Sequence, residues 1–241
     1  MTDEPRKLPY IVVVVDGIIG AGKTTLIQDC LVPILSEWGL RITVVPEPVE
    51  KWKVLGRLEQ FYEDPSRRGY QFQTRAFHDR VKTSQEIHRK YAAHTDVFLL
   101  ERSVFTDLLF MKTLRESQTI DETEYEDYLD LWTMWEEVMP FRPDLFVYLK
   151  PDVDVAMKRL QERNRDGEST VSKDYQVALE EKHDEFLGGD YVAISDSHYV
   201  PCFHLSTNSN FRDDDVVKKE IASKFLDKIS HIRNVKAGTK S

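Results

Sequence analysis

A glycine-rich segment that follows a run of β-branched residues constrains this chain more than any other feature. Residues 16–25, DGIIGAGKTT, match the phosphate-loop pattern G-x-x-x-x-G-K-[ST], and the preceding run YIVVVV at 10–15 is typical of a buried first strand in an α/β sheet. The glycines let the backbone turn its N–H groups toward an anion at the start of a helix. Lys23 is expected to reach the β- and γ-phosphates of a nucleotide, and Thr24 to bind Mg²⁺. Strand and helix patterns on the correct sides disfavour the alternative, a glycine-rich turn with a surface lysine.

Length and composition indicate one large α/β domain over residues 1–241. The apolar fraction of 41% is sufficient for a core, and residues 1–9 and 234–241 are expected to be flexible tails. The 42 acidic and 33 basic residues give a net charge of −9, which disfavours nucleic acid as a partner. Cys30 and Cys202 lack the spacing of a zinc site or disulfide framework. Without a signal-like or membrane-spanning apolar run, we expect no membrane partner and a cytoplasmic location.

Five apolar runs predict the strands of a doubly wound, five-stranded parallel sheet with flanking helices. They cover residues 10–15, 41–45, 96–100, 144–149 and 201–205, and helical patterns separate them. Glu47 follows the second run, and Glu101 with Arg102 follows the third. Because ligands of parallel α/β sheets bind at the carboxyl ends of the strands, these side chains are expected near the phosphate loop. An ordinary loop acid is the alternative for Glu47, and a structural pair for Glu101 and Arg102.

Two helical regions carry side chains whose role the pattern leaves open. Residues 52–94 predict two helices with a break near 64–66, and Phe72, Ala76 and Arg80 share one helical face beside Gln73. Residues 117–140 carry an aromatic stripe that fits either the core or a dimer interface. A closing helix is predicted over 216–232.

Three arginines follow the fourth predicted strand. Arg159, Arg163 and Arg165 flank a polar segment, which predicts a short lid over about 159–170 whose cations stabilise a moving phosphoryl group. A solvated basic patch is the alternative.

Taken together, six segments carry a resemblance to a known family. Besides the phosphate loop they are PEPVEKW at 46–52, FYEDP at 61–65, YQFQT at 70–74 and ERSVFTD at 101–107, together with the arginine-rich lid. From about Tyr10 to about Phe211 the chain thus resembles the deoxyribonucleoside kinases, which include deoxycytidine, deoxyguanosine, mitochondrial thymidine and insect multisubstrate kinases. The resemblance implies a P-loop kinase fold, ATP or another nucleoside triphosphate as phosphate donor, Mg²⁺, transfer to the 5′-hydroxyl of a deoxynucleoside, and a homodimer built from helices.

The resemblance also implies roles for individual residues. Glu47 matches the general base, Arg102 and Lys23 match the other catalytic positions, and Glu101 joins Thr24 as a position associated with Mg²⁺. Tyr62 and Glu168 match residues that bond the 3′-hydroxyl, and Gln73 matches the glutamine that pairs with the base. The positions implied for the apolar walls of the base pocket are Ile19, Val49, Trp52, Leu58 and Phe72. Those implied for donor binding are Gly17, Gly20, Ala21, Gly22, Lys23, Thr24, Thr25, Arg159, Arg163, Arg165 and Phe211.

Three further positions bear on which base is accepted. Ala76, Arg80 and Asp107 match positions that separate cytosine- and purine-accepting members of the family from thymidine kinases, and an arginine with an aspartate is the pattern of the former. Deoxycytidine and the purine deoxynucleosides are therefore expected over thymidine, in an order that the sequence leaves open. A carboxylate can accept from the exocyclic amine of cytosine or adenine, whereas thymine presents a carbonyl there.

The chain departs from the family at three positions. Leu108 and Met111 replace an arginine and an aromatic residue, and Arg75 replaces a tyrosine or phenylalanine. Methionine can fill the volume of an aromatic ring, which predicts a more permissive pocket.

Two other functions compete with this one. A thymidylate-type monophosphate kinase would need an arginine where Glu47 stands, because a carboxylate repels a phosphate acceptor. A non-catalytic scaffold subunit would not need Lys23, Thr24, Glu47 and Arg102 together, and all four are present.

Overall fold

Within the described part of the chain, six strands form one sheet. The computed structural model describes residues 10–163, 168 and 171–238, of which 135–137 are described by their backbone alone. The strands are β1 (Ile11–Asp16), β2 (Ile42–Val45), β3 (Val97–Glu101), β4 (Leu145–Lys150), β5 (Tyr191–Ser195) and β6 (His198–Ser206), in the spatial order β2-β3-β1-β4-β6-β5. All neighbouring pairs are parallel except β5 and β6. The five predicted parallel strands are thus confirmed.

The sixth strand corrects the prediction of a five-stranded sheet. β5 pairs antiparallel with β6 across a tight turn and forms one edge of the sheet. Its residues alternate between exposed and buried, with Val192 buried and Tyr191 exposed, and two glycines precede it. Residues 191–194, YVAI, form a short apolar run that the sequence analysis overlooked.

Helices cover both faces of the sheet. The phosphate loop leads into α1 (Lys23–Thr25), which continues through a π-helical segment (Leu26–Leu31) into α2 (Val32–Glu37). The remaining helices are α3 (Val49–Val54), α4 (Arg57–Glu63), α5 (Pro65–Tyr91), α6 (Val104–Glu116), α7 (Glu122–Val138), α8 (Val153–Arg163), α9 (Lys173–Leu187) and α10 (Asp215–Gly238), with a 3₁₀ turn at Ala92–His94.

Successive side chains of β1 pack into two different layers of the core. Val13 and Val15 belong to an apolar cluster with residues of the phosphate-loop helix, α8 and α10, whereas Val12 and Val14 belong to a second cluster with residues of α5, α6 and α7. Successive side chains of a strand point to opposite faces, so a strand buried on both faces must be apolar throughout. This explains why β1 has no polar residue before Asp16.

The region predicted to hold two helices contains three. The predicted break lies between α4 and α5, where Asp64 caps α5 by accepting from Arg67 N and Pro65 occupies its first turn. A second break separates α3 from α4 at Gly56, whose φ of 61° lies in the left-handed region. The sequence analysis overlooked this second break.

Helix α10 extends beyond the predicted helix end. It reaches Gly238, so residues 234–238 are helical and the prediction of a free tail from 234 is wrong for them. Lys236 Nζ lies 2.6 Å from Asp144 Oδ1, just before β4, and this ion pair holds the last turn against the sheet. Residues 1–9 and 239–241 lie outside the described residues.

The aromatic stripe of α7 is largely core. Tyr125, Tyr128 and Met139 are buried, and the indole nitrogen of Trp132 donates to Val104 O at 2.6 Å. Met134 on the same helix is 53% exposed, so part of α7 faces outward. Among the described helices, none is long and apolar enough to span a bilayer.

Candidate active site

A cavity of about 1090 Å³ opens at the carboxyl ends of the central strands. Most of the predicted site residues line it: Ile19, Gly20, Gly22, Lys23, Thr24, Thr25, Glu47, Val49, Trp52, Leu58, Tyr62, Phe72, Gln73, Ala76, Arg80, Glu101, Arg102, Asp107, Arg159, Arg163, Glu168 and Phe211. Gly17 and Ala21 lie inside the phosphate loop and do not face the cavity, and Arg165 lies outside the described residues. Pockets for drug-sized ligands have volumes of about 300–1,000 Å³, so this one is large enough for two small ligands side by side.

The phosphate loop is shaped by its glycines. Gly17 has a φ of 146°, and a Cβ added there would lie 2.3 Å from Leu149 O. Gly20 has a φ of 84°, and an added Cβ would lie 2.6 Å from Ala156 O. Backbone atoms of β4 and α8 therefore pack so closely on the loop that only glycine fits. Gln176 of α9 fixes the loop from the other side, where its amide bonds both the N–H and the carbonyl of Ile19.

Lys23 and Thr24 lie at the cavity end next to this loop. Lys23 Nζ donates to the carbonyls of Gly17 and Ile18 at 3.1 and 3.0 Å. Burial and the charge of Arg102 lower the pKa of Lys23 to about 7 against the opposing charges of nearby carboxylates. A phosphate group beside this amine would therefore favour its charged form.

A hydroxyl and a carboxylate offer oxygen ligands at the same end. Thr24 Oγ1 donates to Glu101 Oε1 at 2.7 Å, and burial together with the charge of Glu47 raises the pKa of Glu101. Mg²⁺ commonly takes one or two protein oxygens and completes its shell with water and phosphate, so this pair fits the ion. Within the described residues, no group of three or more His, Cys, Asp or Glu side chains is placed to hold a metal ion.

Glu47 lies between two arginines in the same cavity, near Lys23 and Glu101. Its Oε1 is 3.1 Å from Arg80 Nη2 and 3.4 Å from Arg102 Nε. Burial raises the pKa of Glu47, but the charges of Arg102 and Arg80 outweigh burial and hold it below its usual value. Glu47 is therefore an ionised carboxylate, able to accept a proton from a ligand hydroxyl.

Arg80 links Glu47 to Asp107. Its Nε lies 3.1 and 2.9 Å from the two carboxylate oxygens of Asp107, and its Nη1 donates to Glu101 O. Burial raises the pKa of Asp107, and Arg80 opposes that shift. Arg80 and Asp107 are both almost completely buried, so this pair fixes the hydrogen-bonding pattern of one wall of the cavity.

Arg102 is held in a strained backbone conformation. Its φ of 65° is uncommon for a residue with a side chain, and such strain is found mainly at functional sites. Arg102 Nη1 donates to Asp16 Oδ1 at 2.8 Å, and the guanidinium lies 4.7 Å from the ring centroid of Phe110. Sequence reasoning missed Asp16 and Phe110, although Asp16 directly precedes the phosphate loop.

Phe110 also changes how the departures from the family pattern are interpreted. Met111 is fully buried in the core and does not line the cavity, so it does not replace an aromatic ring there. Phe110, one residue earlier on α6, does line it. The cavity therefore has an aromatic side chain at this wall, and the inference of a more permissive pocket from Met111 loses its basis.

Arg75 belongs to an ion cluster around Asp79. The buried carboxylate of Asp79 accepts from Arg75 Nε at 3.0 Å, from Lys51 Nζ at 2.6 Å and from Trp52 Nε1 at 3.1 Å. Trp52 lines the cavity and packs edge-on against Phe72 at 5.4 Å. The departure at Arg75 is thus explained, because its charge balances the aspartate that orients the Trp52 indole.

Tyr62, Glu168 and Tyr175 form another part of the wall. Glu168 pairs with Arg163, and burial together with the neighbouring Tyr175 and Glu168 raises the pKa of Tyr62 well above its usual value. The Tyr175 hydroxyl is buried and has no hydrogen-bond partner among the described residues. Tyr175 lines the cavity but was not predicted, because nothing in its helical surroundings distinguishes it from a core residue.

Arg159 and Phe211 lie beside the phosphate loop. Arg159 Nη2 donates to Thr207 O, whereas its buried Nη1 has no partner among the described residues. The ring of Phe211 lies 3.9 Å from the Cβ position of Gly22. An unpaired guanidinium N–H at this position offers a donor for an anionic ligand of the loop.

A comparison with known families decides the class of this protein. The model of the deoxynucleoside kinase family matches residues 13–230. The chain belongs to the deoxynucleoside kinase family. This deoxynucleoside kinase is 35% identical over 219 residues to a probable deoxycytidine kinase of fowlpox virus, covering 90% of this chain and 88% of the relative. It is 30% identical over 213 residues to the deoxyadenosine kinase of Dictyostelium discoideum, covering 88% and 78% of the two chains.

A solved structure confirms the fold of this deoxynucleoside kinase. The deoxyadenosine kinase from M. mycoides, with products dCMP and a flexible dCDP bound, superposes with a TM-score of 0.69. The match covers 90% of this chain and 100% of the other at 23% sequence identity. The fold is therefore the mostly parallel α/β fold of a P-loop nucleoside kinase, as the sequence predicted.

Proposed function

We propose that this deoxynucleoside kinase transfers the γ-phosphoryl group of ATP to the 5′-hydroxyl of a deoxynucleoside. One observation carries the proposal: the ionised carboxylate of Glu47, flanked by Arg80 and Arg102, shares a cavity with Lys23 of the phosphate loop. A proton acceptor and a phosphate site close to each other in one cavity are what an alcohol acceptor and a nucleoside triphosphate require.

In the proposed reaction, Glu47 takes the proton of the 5′-hydroxyl as that oxygen forms its bond to the γ-phosphorus. The bond between the γ-phosphorus and the β,γ-bridging oxygen breaks, and the displaced electron pair remains on the nucleoside diphosphate. Arg102 and Lys23 offset charge near the attacking and leaving oxygens, and Arg159 and Arg163 do so on the donor side. Mg²⁺, held through Thr24 and Glu101, would neutralise phosphate charge and orient the donor.

We further propose how the nucleoside is held. Tyr62 and Glu168 bond the 3′-hydroxyl, Gln73 pairs with the base, and the apolar wall residues contact its faces. The base edge faces Asp107, whose carboxylate accepts from an exocyclic amine, while Arg80 offers donors to a purine. Thymine places a carbonyl against the carboxylate, so thymidine is the poorest of the four substrates.

The electrostatics disfavour a monophosphate acceptor. A phosphate dianion in the acceptor position would lie beside the ionised Glu47 and would be repelled by it. Arg80, the cation nearest to Glu47, already bonds three acceptors and offers little charge to a second phosphate.

We also propose that two copies associate through helices, with the outward-facing part of α7 in the interface. Met134, 53% exposed, provides apolar surface there. The elution volume of the native chain, compared with that of Met134→Asp, tests this: a dimer that the charge converts to monomers supports it, and an unchanged native-size dimer contradicts it.

The proposed activity is tested with a substrate panel and a matched pair of variants. Purified protein is supplied with ATP, Mg²⁺ and each of the four deoxynucleosides, and nucleoside monophosphate formation is measured. Glu47→Gln keeps the shape of the side chain but removes the proton acceptor, so kcat should fall by about 10²-fold or more. Glu63→Gln changes an exposed carboxylate of α4 outside the cavity and should leave kcat unchanged. A Glu47→Gln enzyme with native kcat would show that Glu47 is not the base.

A further inference from the structure

The buried His183 lies outside the cavity lining and is linked to Arg102 through Asp16. Asp16, at the end of β1, is fully buried, and its Oδ1 accepts from Gly17 N at 2.7 Å and from Arg102 Nη1 at 2.8 Å. The third polar group near this oxygen is Nε2 of His183, at 3.3 Å. His183 belongs to α9, is fully buried, and does not line the cavity. The roles proposed above give this histidine no function.

The two ring nitrogens of His183 face two acceptors. Its Nδ1 lies 2.7 Å from the carbonyl oxygen of Leu179, one turn earlier on α9, and its Nε2 lies 3.3 Å from Asp16 Oδ1. Burial raises the pKa of Asp16, but Arg102 and His183 outweigh burial and hold it well below its usual value. Asp16 is thus an ionised carboxylate that accepts hydrogen bonds from the groups around it. His183 therefore connects the backbone of α9 to the carboxylate that holds Arg102.

His183 also contacts the other support of Arg102. Its ring packs edge-to-face with Phe110 at a centroid distance of 6.2 Å and an interplanar angle of 86°, and it stacks on Tyr148 at a centroid distance of 6.2 Å. Phe110 in turn lies under the Arg102 guanidinium. The His183 ring thus contacts both groups that hold the guanidinium, the Asp16 carboxylate and the Phe110 ring.

Arg102 needs such support for two reasons. Its left-handed φ of 65° is an unfavourable conformation that the surrounding structure must maintain. Its Nε also lies within 3.4 Å of Glu47, so a guanidinium released from Asp16 could form a closer pair with that carboxylate and reduce its ability to accept a proton.

We propose that His183 is a positioning residue of phosphoryl transfer, which acts through Asp16 and Phe110 to keep the Arg102 guanidinium away from a closer pair with Glu47. The proposal rests on the proposed function, in which Glu47 and Arg102 act on the acceptor hydroxyl. Because His183 does not line the cavity, its loss should affect the rate of transfer more than the binding of either substrate.

Two amide substitutions of His183 distinguish the effects of its two polar contacts. The amide nitrogen of His183→Gln can occupy the position of Nε2 and donate to Asp16, whereas the shorter His183→Asn can keep only the bond to Leu179 O. We expect His183→Asn to lower kcat by about 10- to 100-fold, the loss typical of a charged hydrogen bond, with KM for both substrates changed by less than about threefold. His183→Gln should retain kcat within about threefold of the native value.

His204 provides a control at an exposed position that contacts the same tyrosine. Its Nε2 also bonds a backbone carbonyl, Leu187 O at 2.8 Å, and its ring also packs on Tyr148, but it has no bond to Asp16. His204→Asn should leave kcat and KM unchanged. An equal loss of kcat in His204→Asn and His183→Asn would reduce the role of His183 to general packing and overturn the proposal.

A double-mutant cycle with Arg102 completes the test. In an Arg102→Ala background the guanidinium that His183 positions is gone, so adding His183→Asn should change kcat by less than about twofold. Losses that multiply in the double variant would overturn the proposal, as would a native kcat in His183→Asn alone. If His183→Asn does not fold, as judged by thermal melting, Asp16→Asn takes its place in the same cycle with the same expected and contrary results. A native kcat in Arg102→Ala would instead contradict the proposed function itself.

Discussion

The proposed contact between Asp107 and the nucleobase can be tested without disturbing Glu47, the proposed general base. The variant that removes the whole pair, Arg80→Met with Asp107→Ala, would also remove the 3.1 Å bond from Arg80 to Glu47 and lower the rate for every substrate. Asp107→Asn avoids this effect, because its amide oxygen can still accept from Arg80 Nε, which lies about equally far from both carboxylate oxygens in the native chain. The amide nitrogen is then free to donate toward the base.

The expected change in the ratio of thymidine to deoxycytidine kcat/KM follows from the number of unsatisfied hydrogen-bond acceptors. In the proposed arrangement, the thymine carbonyl and an Asp107 carboxylate oxygen face each other in a buried site, which should cost about 1–3 kcal/mol or a factor of about 10 to 10² in kcat/KM. The asparagine nitrogen converts this mismatch into a hydrogen bond. Asp107→Asn should therefore raise the ratio of thymidine to deoxycytidine kcat/KM by about 10- to 10²-fold.

The assay is a competition between thymidine and deoxycytidine, present together with limiting enzyme, in which the two monophosphates are separated and counted. The ratio of products gives the ratio of kcat/KM directly and cancels any loss of active enzyme. Asp107→Ala serves as the comparison, since it removes the mismatch but donates no hydrogen bond, and it should give an intermediate ratio. A ratio in Asp107→Asn within about twofold of the native ratio would refute the placement of the base edge against Asp107.

Three further predictions concern Lys23, Asp79 and Arg163. The pKa of Lys23 is lowered to about 7, so its amine is mostly neutral at a pH about one unit above that value. Because a bound donor phosphate restores the charge of the amine, donor binding should be accompanied by the uptake of about 0.9 proton per site. Calorimetry in buffers of different ionisation enthalpy measures this uptake, which Lys23→Arg should abolish. Asp79→Ala leaves the buried indole N–H of Trp52 without its acceptor, so urea unfolding should show a loss of about 1–3 kcal/mol together with a raised nucleoside KM, and an unchanged KM would contradict the role of Asp79 in orienting Trp52. Arg163→Ala should lower kcat more than it raises nucleoside KM if Arg163 acts on the transferring group, whereas a raised KM with native kcat would assign it to ground-state binding through Glu168.

The local sequence pattern was sufficient to predict the phosphate loop and the parallel strands on which the site is built. The phosphate loop depends on glycines at fixed positions between a buried strand and a helix, and this information lies within about ten consecutive residues. The five parallel strands are buried on both faces and therefore appear as continuous apolar runs. Because parallel strands align their carboxyl ends, the sequence also predicted that Glu47, Glu101 and Arg102 meet at one cavity, and the structure confirms that they do.

The tertiary structure decided which side chains complete that site. The apolar run at 191–194 is visible in the sequence, but its antiparallel pairing with β6 at the edge of the sheet is shown only by the structure. Phe110 rather than Met111 faces the cavity because the direction of a helical side chain depends on how α6 is rotated against α5 and α9, and a one-residue difference turns it by about 100°. His183 meets Asp16 across 167 residues of chain. Contacts between residues so far apart arise from the packing of helices on the sheet, to which local propensity and periodicity contribute no information.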